Sequence, residues 1–263
     1  MGKMKLVSAI LFVSLAILLN AGCQSLPNIQ DPLDGYAQLE IEKDDTNPRD
    51  WSVVIYMVPY DTFGDAILSG VSSGGGTAIQ TSEEDGTYIL TAGHVCQPSI
   101  QVFGGLVPFQ VWVYDMAGEE AMAQIVDTNL DTDLCLLHTP MIWPGALSRI
   151  VYTGTLPDFA ALQNFGHPNS WFEGSDSMTS WQPNDFFLLF KNDGYFAGLF
   201  SETIFSYTIP SVQGQSGSTI LYGDALVGVI SRGDMTAEHV GFAVRSEVVD
   251  QFLSRNGIFL VVQ

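Results

Sequence analysis

An all-β fold, a barrel or a sandwich finished by one C-terminal helix, is what this sequence predicts. Short runs rich in Val, Ile, Phe, Tyr and Thr follow one another with turn residues between them. Gly and Pro are frequent, at 26 and 12 residues, and a helical spacing of apolar residues occurs only near the C-terminus. With 46% hydrophobic and 14% charged side chains, the 263 residues can bury a large core.

The first segment stands apart from that fold. Met1 to Lys5 carries two lysines, Leu6 to Leu19 is apolar except for Ser8 and Ser14, and Ala21 and Gly22 precede Cys23. This is the order of an export signal, and the apolar run is short for a membrane span. The ending Ala21-Gly22-Cys23 resembles a bacterial lipoprotein signal, which implies cleavage before Cys23 and lipid attachment to it. Asn20 departs from that pattern, which has an aliphatic residue there; an uncleaved anchor and an ordinary secretory cleavage are the alternatives. Gln24, in place of Asp, implies on this reading a lipid-anchored protein of the cell envelope, exported to the periplasm and sorted to the outer membrane. Residues 1–22 are thus read as the signal and 23–50, acidic and carrying Pro27, Pro32 and Pro48, as a tether. Residues 51–263 form the folded domain.

The formal charge of −20 falls to −22 once the signal, with its two lysines and no acid, is removed. A field of that sign repels phosphate backbones, so no nucleic acid is expected as a partner.

Taken in order, the strands are expected at Trp51 to Val58, Gly76 to Gln80, Thr87 to Thr91, Ile100 to Phe103, Phe109 to Tyr114, Glu120 to Val126 and Leu134 to His138. The second half continues with Ala161 to Phe165, Asp185 to Phe190, Gly198 to Ile209, Ser218 to Leu221, Ala225 to Ser231 and Val240 to Val244. Ser246 to Asn256 is the helix: Val248, Val249, Phe252 and Leu253 share a face, Ser246 is placed to cap it and Gly257 to stop it. Asn169 to Asn184 and Lys191 to Gly198 read as loops.

Chemistry gathers at three places. His94 follows a strand, in Leu90-Thr91-Ala92-Gly93-His94, among small residues that let other segments approach. Asp133 stands at the mouth of the apolar run Leu134 to Leu137, where a carboxylate can orient an imidazole. In Gly214-Gln215-Ser216-Gly217-Ser218 a serine lies between glycines, so a tight turn can present its Oγ while backbone N–H groups converge. His138 ends a strand, His167 lies in a Gly-His-Pro turn and His239 precedes the last strand with no evident partner, and Asp131 is the rival to Asp133.

These blocks, with Gly74-Gly75-Gly76-Thr77 before the His strand, Leu226 to Ser231 and Gly241 to Val244 after the serine, occur in an order that resembles the trypsin-like serine proteases. The likeness is to the bacterial and phage branch similar to the periplasmic stress proteases, and runs over nearly all of residues 51–263. It implies two six-stranded antiparallel β-barrels with a C-terminal helix and a triad of His94, Asp133 and Ser216. The Gly214 and Ser216 amides would form the oxyanion hole, and a polypeptide would be the substrate. The resemblance also aligns Pro210 with the floor of the primary pocket, where trypsin has an Asp. Ser231, Arg232 and Gly233 align with one wall and Gly241 with another, so trypsin specificity is not implied. A proteolytically silent member, serving as a binding module on the envelope, is the alternative.

With Cys23 lipidated, Cys96 and Cys135 are left either as a disulfide in an oxidising compartment or as two buried thiols. No cofactor is implied. The alternation Asp127, Asn129, Asp131, Asp133 suggests a calcium loop but fails in detail: Thr132 stands where Gly is needed and His138 where the bidentate Glu would be. An α/β-hydrolase elbow, with Ser216, Asp224 or Asp234, and His239, is broken by Ser218 in the last Gly position, and the preceding chain lacks alternating helices. At the position before the nucleophile, Gln215 offers no charge for pairing with a freed N-terminus. A site that forms without propeptide cleavage, or one ordered by substrate, is expected, with the loops Asn169 to Asn184 and Lys191 to Gly198 as candidates for control.

Overall fold

A computed structural model describes residues 37–38, 47–67, 70–97, 108–167, 189–210, 214–233 and 240–263. All lie within one compact unit, Tyr36–Gln263. Cys23 and the signal, the expected strand at Ile100 to Phe103, most of that at Asp185 to Phe190, the loop at Asn169 to Asn184, Asp234 and His239 lie outside the described residues.

The elements, in order, begin with β1 (Ala37–Gln38) and a one-turn helix α1 (Pro48–Trp51). Six strands follow: β2 (Ser52–Pro59), β3 (Ser72–Ser82), β4 (Gly86–Ala92), β5 (Phe109–Tyr114), β6 (Glu120–Asn129) and β7 (Leu134–Thr139). They close into an antiparallel barrel in the order β2-β3-β4-β7-β6-β5, with β5 returning to β2. β2 is buried along its whole length, as its unbroken apolar run from Val53 to Val58 requires. In β6, by contrast, exposed residues recur along the strand, and Met122 and Val126 within it and Leu130 just after it face water.

A short strand β8 (Arg149–Ile150) leads to the second barrel. This consists of β9 (Ala161–Gly166), β10 (Phe190–Leu199), β11 (Ile204–Tyr207), β12 (Thr219–Tyr222), β13 (Ala225–Gly233) and β14 (Gly241–Arg245), followed by α2 (Ser246–Arg255) and β15 (Val261–Val262). The ring runs β12-β9-β10-β11-β14-β13 and closes through the β12–β13 pair. Its interior is a cluster that includes Leu162, Phe196, Phe205, Tyr207, Ile209, Ile220, Val227 and Ile230. Each fully buried large apolar side chain contributes about 1.5–3 kcal/mol.

Three differences from the sequence reading have physical causes. Lys191 to Gly198, read as a loop, is the body of β10: its polar residues pair with β9 from Phe190↔Gly166 to Tyr195↔Ala161, while Asn192 and Phe196 are buried. Gly198 to Ile209 is not one strand, because the chain turns at Phe200 to Thr203, with Gly198 at φ 119°. Ser246 does not cap α2; it is the first helical residue, and its Oγ accepts from the Thr153 N–H at 2.8 Å, tying the helix to the Thr153–Thr155 turn. Gly257, at φ 78°, does stop the helix: its N–H donates to the Ser254 carbonyl at 3.1 Å. Within the segment read as a tether, Ala37 and Gln38 pair with β10, and α1 brings buried Trp51 against Phe165 of the second barrel.

Contacts between the barrels place the site. Thr77 Oγ1 of β3 donates to Thr219 Oγ1 of β12 at 3.1 Å. The Gly75 N–H donates to the Ser216 carbonyl at 2.8 Å. Asp127 of β6 accepts from both Arg255 and Asn256 at the end of α2.

Candidate active site

His94 enters the site because β4 ends at Ala92 and the chain turns through a single 3-10 turn, Gly93–Cys96. Gly93 allows the close approach there, since a Cβ would lie 3.0–3.1 Å from the Asp133 and Leu134 backbone, tighter than ordinary contact. Asp133 comes from the turn between β6 and β7. Asn129 Oδ1 accepts from the Asp131 and Thr132 N–H groups, and Asp133 itself takes the left-handed conformation at φ 55°, one that Asp tolerates better than most residues.

The two side chains meet directly. His94 Nδ1 lies 2.9 and 3.0 Å from the Asp133 carboxylate oxygens, and the His94 backbone N–H donates to Oδ1 at 2.8 Å. Ser231 Oγ donates to Oδ2 at 2.5 Å. Burial pushes the Asp133 carboxyl up, but the hydrogen bonds from His94 and Ser231 outweigh it and hold the group below its ordinary value. The carboxylate is therefore a fixed anion, with Nδ1 engaged and the Nε2 edge of a half-exposed imidazole left for other work.

Ser231 was expected as a pocket wall, and its contact with Asp133 was not. The cause is a β-bulge: β13 pairs with β14 at Ile230↔Ala243 and then at Arg232↔Phe242, so Ser231 is the extra residue, re-aimed towards the first barrel.

Ser216 sits in a turn bracketed by Gly214 at φ 93° and Gly217 at φ 87°. The turn is pinned by the Gly217 N–H donating to the Ile230 carbonyl at 2.8 Å and the Ser218 N–H to the Gln215 carbonyl at 3.0 Å. Gly74 separates it from the His94 segment: a Cβ there would lie 2.6 Å from Val95 Cγ2 and 2.8 Å from the Ser216 carbonyl oxygen. The amide N–H groups of Gly214 and Ser216 donate to no acceptor among the described residues, and no hydrogen bond joins Ser216 Oγ to His94 Nε2. Beneath the turn Gln215 is fully buried, its Nε2 3.4 Å from Asn164 Oδ1, while Asn164 Nδ2 donates to the Thr219 carbonyl at 2.8 Å. A neutral amide pair thus stands immediately before Ser216, with no carboxylate there to pair with a freed N-terminus.

Six barrel strands, closed twice, with His94 and Asp133 from the first ring and Ser216 and Ser231 from the second, decide the architecture. The fold is that of the trypsin-like serine proteases. Solved structures similar to this chain include the active form of the Rv3671c protease from M. tuberculosis, at 16% identity and TM-score 0.55, covering 86% of this chain and 97% of that one. A serine endoprotease from Yersinia pestis matches at 17% identity and TM-score 0.53, over 82% of this chain and 67% of that one. The inactive mutant form of Rv3671c matches at 15% identity and TM-score 0.52, over 84% and 97%. No family model and no curated protein sequence matches the chain.

The remaining expected residues fall as follows. Cys96 and Cys135 are joined by a disulfide. Pro210 is half-buried just after the second barrel's core residue Ile209. Gly241 is buried opposite Tyr207, whose ring occupies the space a Cβ would take. Tyr207, inside an expected strand, carried no sequence signal for this role. Arg232 and Gly233 are exposed at the end of β13. His138 is engaged elsewhere, with Nε2 on the Asp85 carbonyl and its ring 4.9 Å from that of Tyr88. His167 is buried after β9, and Asp131 is exposed on its turn. No group of three or more His, Cys, Asp or Glu suited to a metal ion, and no helix long and apolar enough to cross a membrane, occurs among the described residues.

Proposed function

We propose that this chain is a serine endopeptidase that hydrolyses peptide bonds of a polypeptide substrate, exported and anchored to the envelope by lipid on Cys23. The observation that carries the reading is the Asp133 carboxylate, which receives three donors, two of them from His94 and the third from Ser231 across the barrel boundary. A merely structural histidine has no need of a buttressed anion behind Nδ1.

In this mechanism His94 Nε2 takes the Ser216 Oγ proton as Oγ bonds to the scissile carbonyl carbon, and Asp133 stabilises the imidazolium that results. The carbonyl oxygen becomes an anion within reach of the Gly214 and Ser216 amides, donors that in comparable sites contribute roughly 3–4 kcal/mol each. His94 then gives its proton to the leaving amine, and water attacks the acyl-enzyme by the same route in reverse.

The test is release of fragments from a denatured, fluorescently labelled protein by the full chain. Turnover is expected, and Ser216→Ala should remove about a thousandfold or more of it. Turnover unaffected by that change overturns the assignment. For the anchor, the mature chain should begin at a diacylglycerol-modified Cys23; an intact Met1 or an unmodified terminus beyond Cys23 overturns that part alone.

A further inference from the structure

We propose that Arg232 selects an acidic side chain, Asp or Glu, on the N-terminal side of the bond that is cut. The inference rests on the endopeptidase reading above and concerns the same site. Beyond Val229, paired with Thr219, and Ile230, bonded to the Gly217 and Ser218 turn, β13 has a barrel neighbour only on its β14 side. The opposite edge of Ser231, Arg232 and Gly233 is unpaired among the described residues, and Ser231 ties that edge to Asp133. An unpaired edge beside a nucleophile is a template for an extended peptide.

Direction follows from topology. Both barrel neighbours of β13, β12 and β14, are antiparallel to it. A peptide added in the same sense runs from Gly233 back towards Ile230 and the Ser216 turn. Residues opposite Arg232 and Gly233 therefore precede the bond presented to Ser216, within roughly four positions of it at the strand rise of about 3.3 Å per residue.

Arg232 is equipped for recognition rather than for holding the fold. Its guanidinium lies 5.5 Å from the centre of the Phe242 ring, and Phe242 is in turn packed on Phe200 at 4.9 Å. Every other cation of the described residues is engaged: Arg149 with Asp224, Lys191 with Asp193, Arg245 with Glu247, Arg255 with Asp127, and Arg49 with the Met116 carbonyl. Arg232 alone has no carboxylate or carbonyl partner among them, in a chain where acids outnumber bases 29 to 9. An exposed guanidinium resting over an aromatic ring loses little freedom when it takes up a carboxylate as a fork.

The experiment measures kcat/KM of the full chain on fluorogenic peptides that carry Glu, Gln or Lys at each of the four positions before the cleaved bond. The expected result is a Glu over Gln preference of about fivefold at one position, the size of one exposed charge pair. It should vanish in Arg232→Gln and turn to a Lys preference in Arg232→Glu. Each ratio is internal to its variant, so a loss of folded protein does not mimic the effect. Cleavage with a Glu/Gln ratio near one in the wild type, or a ratio kept in Arg232→Gln, overturns this inference and leaves the endopeptidase reading standing. Absence of cleavage in the wild type together with no Ser216 acylation by a fluorophosphonate overturns both.

Discussion

Cys96 and Cys135 are bonded to each other, and each lies two residues beyond a member of the His94–Asp133 pair. The bond joins the turn after β4 to the start of β7, the two segments whose spacing sets the imidazole against the carboxylate. It closes a loop with a sequence separation of 39, which in the chain-entropy picture removes about 4 kcal/mol of denatured-state freedom. A reductant, or the double variant Cys96→Ala/Cys135→Ala, should therefore lower the melting temperature by about 10 °C. A midpoint unmoved by reductant contradicts the pairing.

The Ser231 contact with Asp133 should matter to chemistry more than to binding. Ser231→Ala removes a hydrogen bond to a charged group, worth about 1.5–3 kcal/mol. The expected result is a kcat about tenfold or more lower with KM little changed, and partial recovery in Ser231→Thr. Because Ser231 helps hold the Asp133 carboxyl low, the acid limb of the kcat profile should also move to higher pH in Ser231→Ala. A change confined to KM would assign Ser231 to the pocket alone.

Two glycines with the same backbone angle separate packing from conformation. Gly118 and Gly217 both have φ 87°, yet a Cβ on Gly118 meets nothing within 4 Å, whereas on Gly217 it would strike Thr91 Oγ1 and the Gly75 carbonyl. Gly118→Ala should cost about 1 kcal/mol of strain in urea unfolding. Gly217→Ala should cost roughly 1–3 kcal/mol more and disrupt the Thr91 to Gly75 hydrogen bond behind the serine turn. Equal losses would mean that the turn is loosely packed.

Much of this was legible in the residues, for reasons that can be named. Phe109 to Tyr114 is rich in aromatic and β-branched residues and is a strand with those bounds. The His94, Asp133 and Ser216 blocks each carry a local signature, and the structure places the first two in contact and the third across Gly74. β10 was hidden because Lys191, Asn192, Asp193 and Gly194 have turn chemistry, and only their pairing with β9 makes them a strand. Ser231 could be read as edge but not as a partner of Asp133, since the bulge that re-aims it depends on β14. The free edge of Arg232 likewise exists only once β12 has stopped short of it.

Acid should unfold the protein through identifiable groups. Asp127 is lowered first by the Asn256 hydrogen bond and then by Arg255. For Asp133 and Glu247, burial raises the carboxyl, but the donors prevail and the net shift is downward. A folded value below the unfolded one contributes stability that is fully present above the unfolded value, about pH 4, and is lost as pH falls through the folded value. Urea midpoints should accordingly stay level on this account from about pH 7 to pH 5 and drop below about pH 4, with a smaller drop in Asn256→Ala. An equal drop in that variant would remove Asp127 from the account.

The most direct test of the central claim is mass mapping of a fluorophosphonate adduct on the full folded chain, beside Ser216→Ala and His94→Ala. The account predicts one adduct on Ser216 in the wild type, lost in both variants, because only a serine activated by the imidazole attacks the probe. A folded wild type that takes up no probe would contradict it and leave the two barrels as a silent binding module.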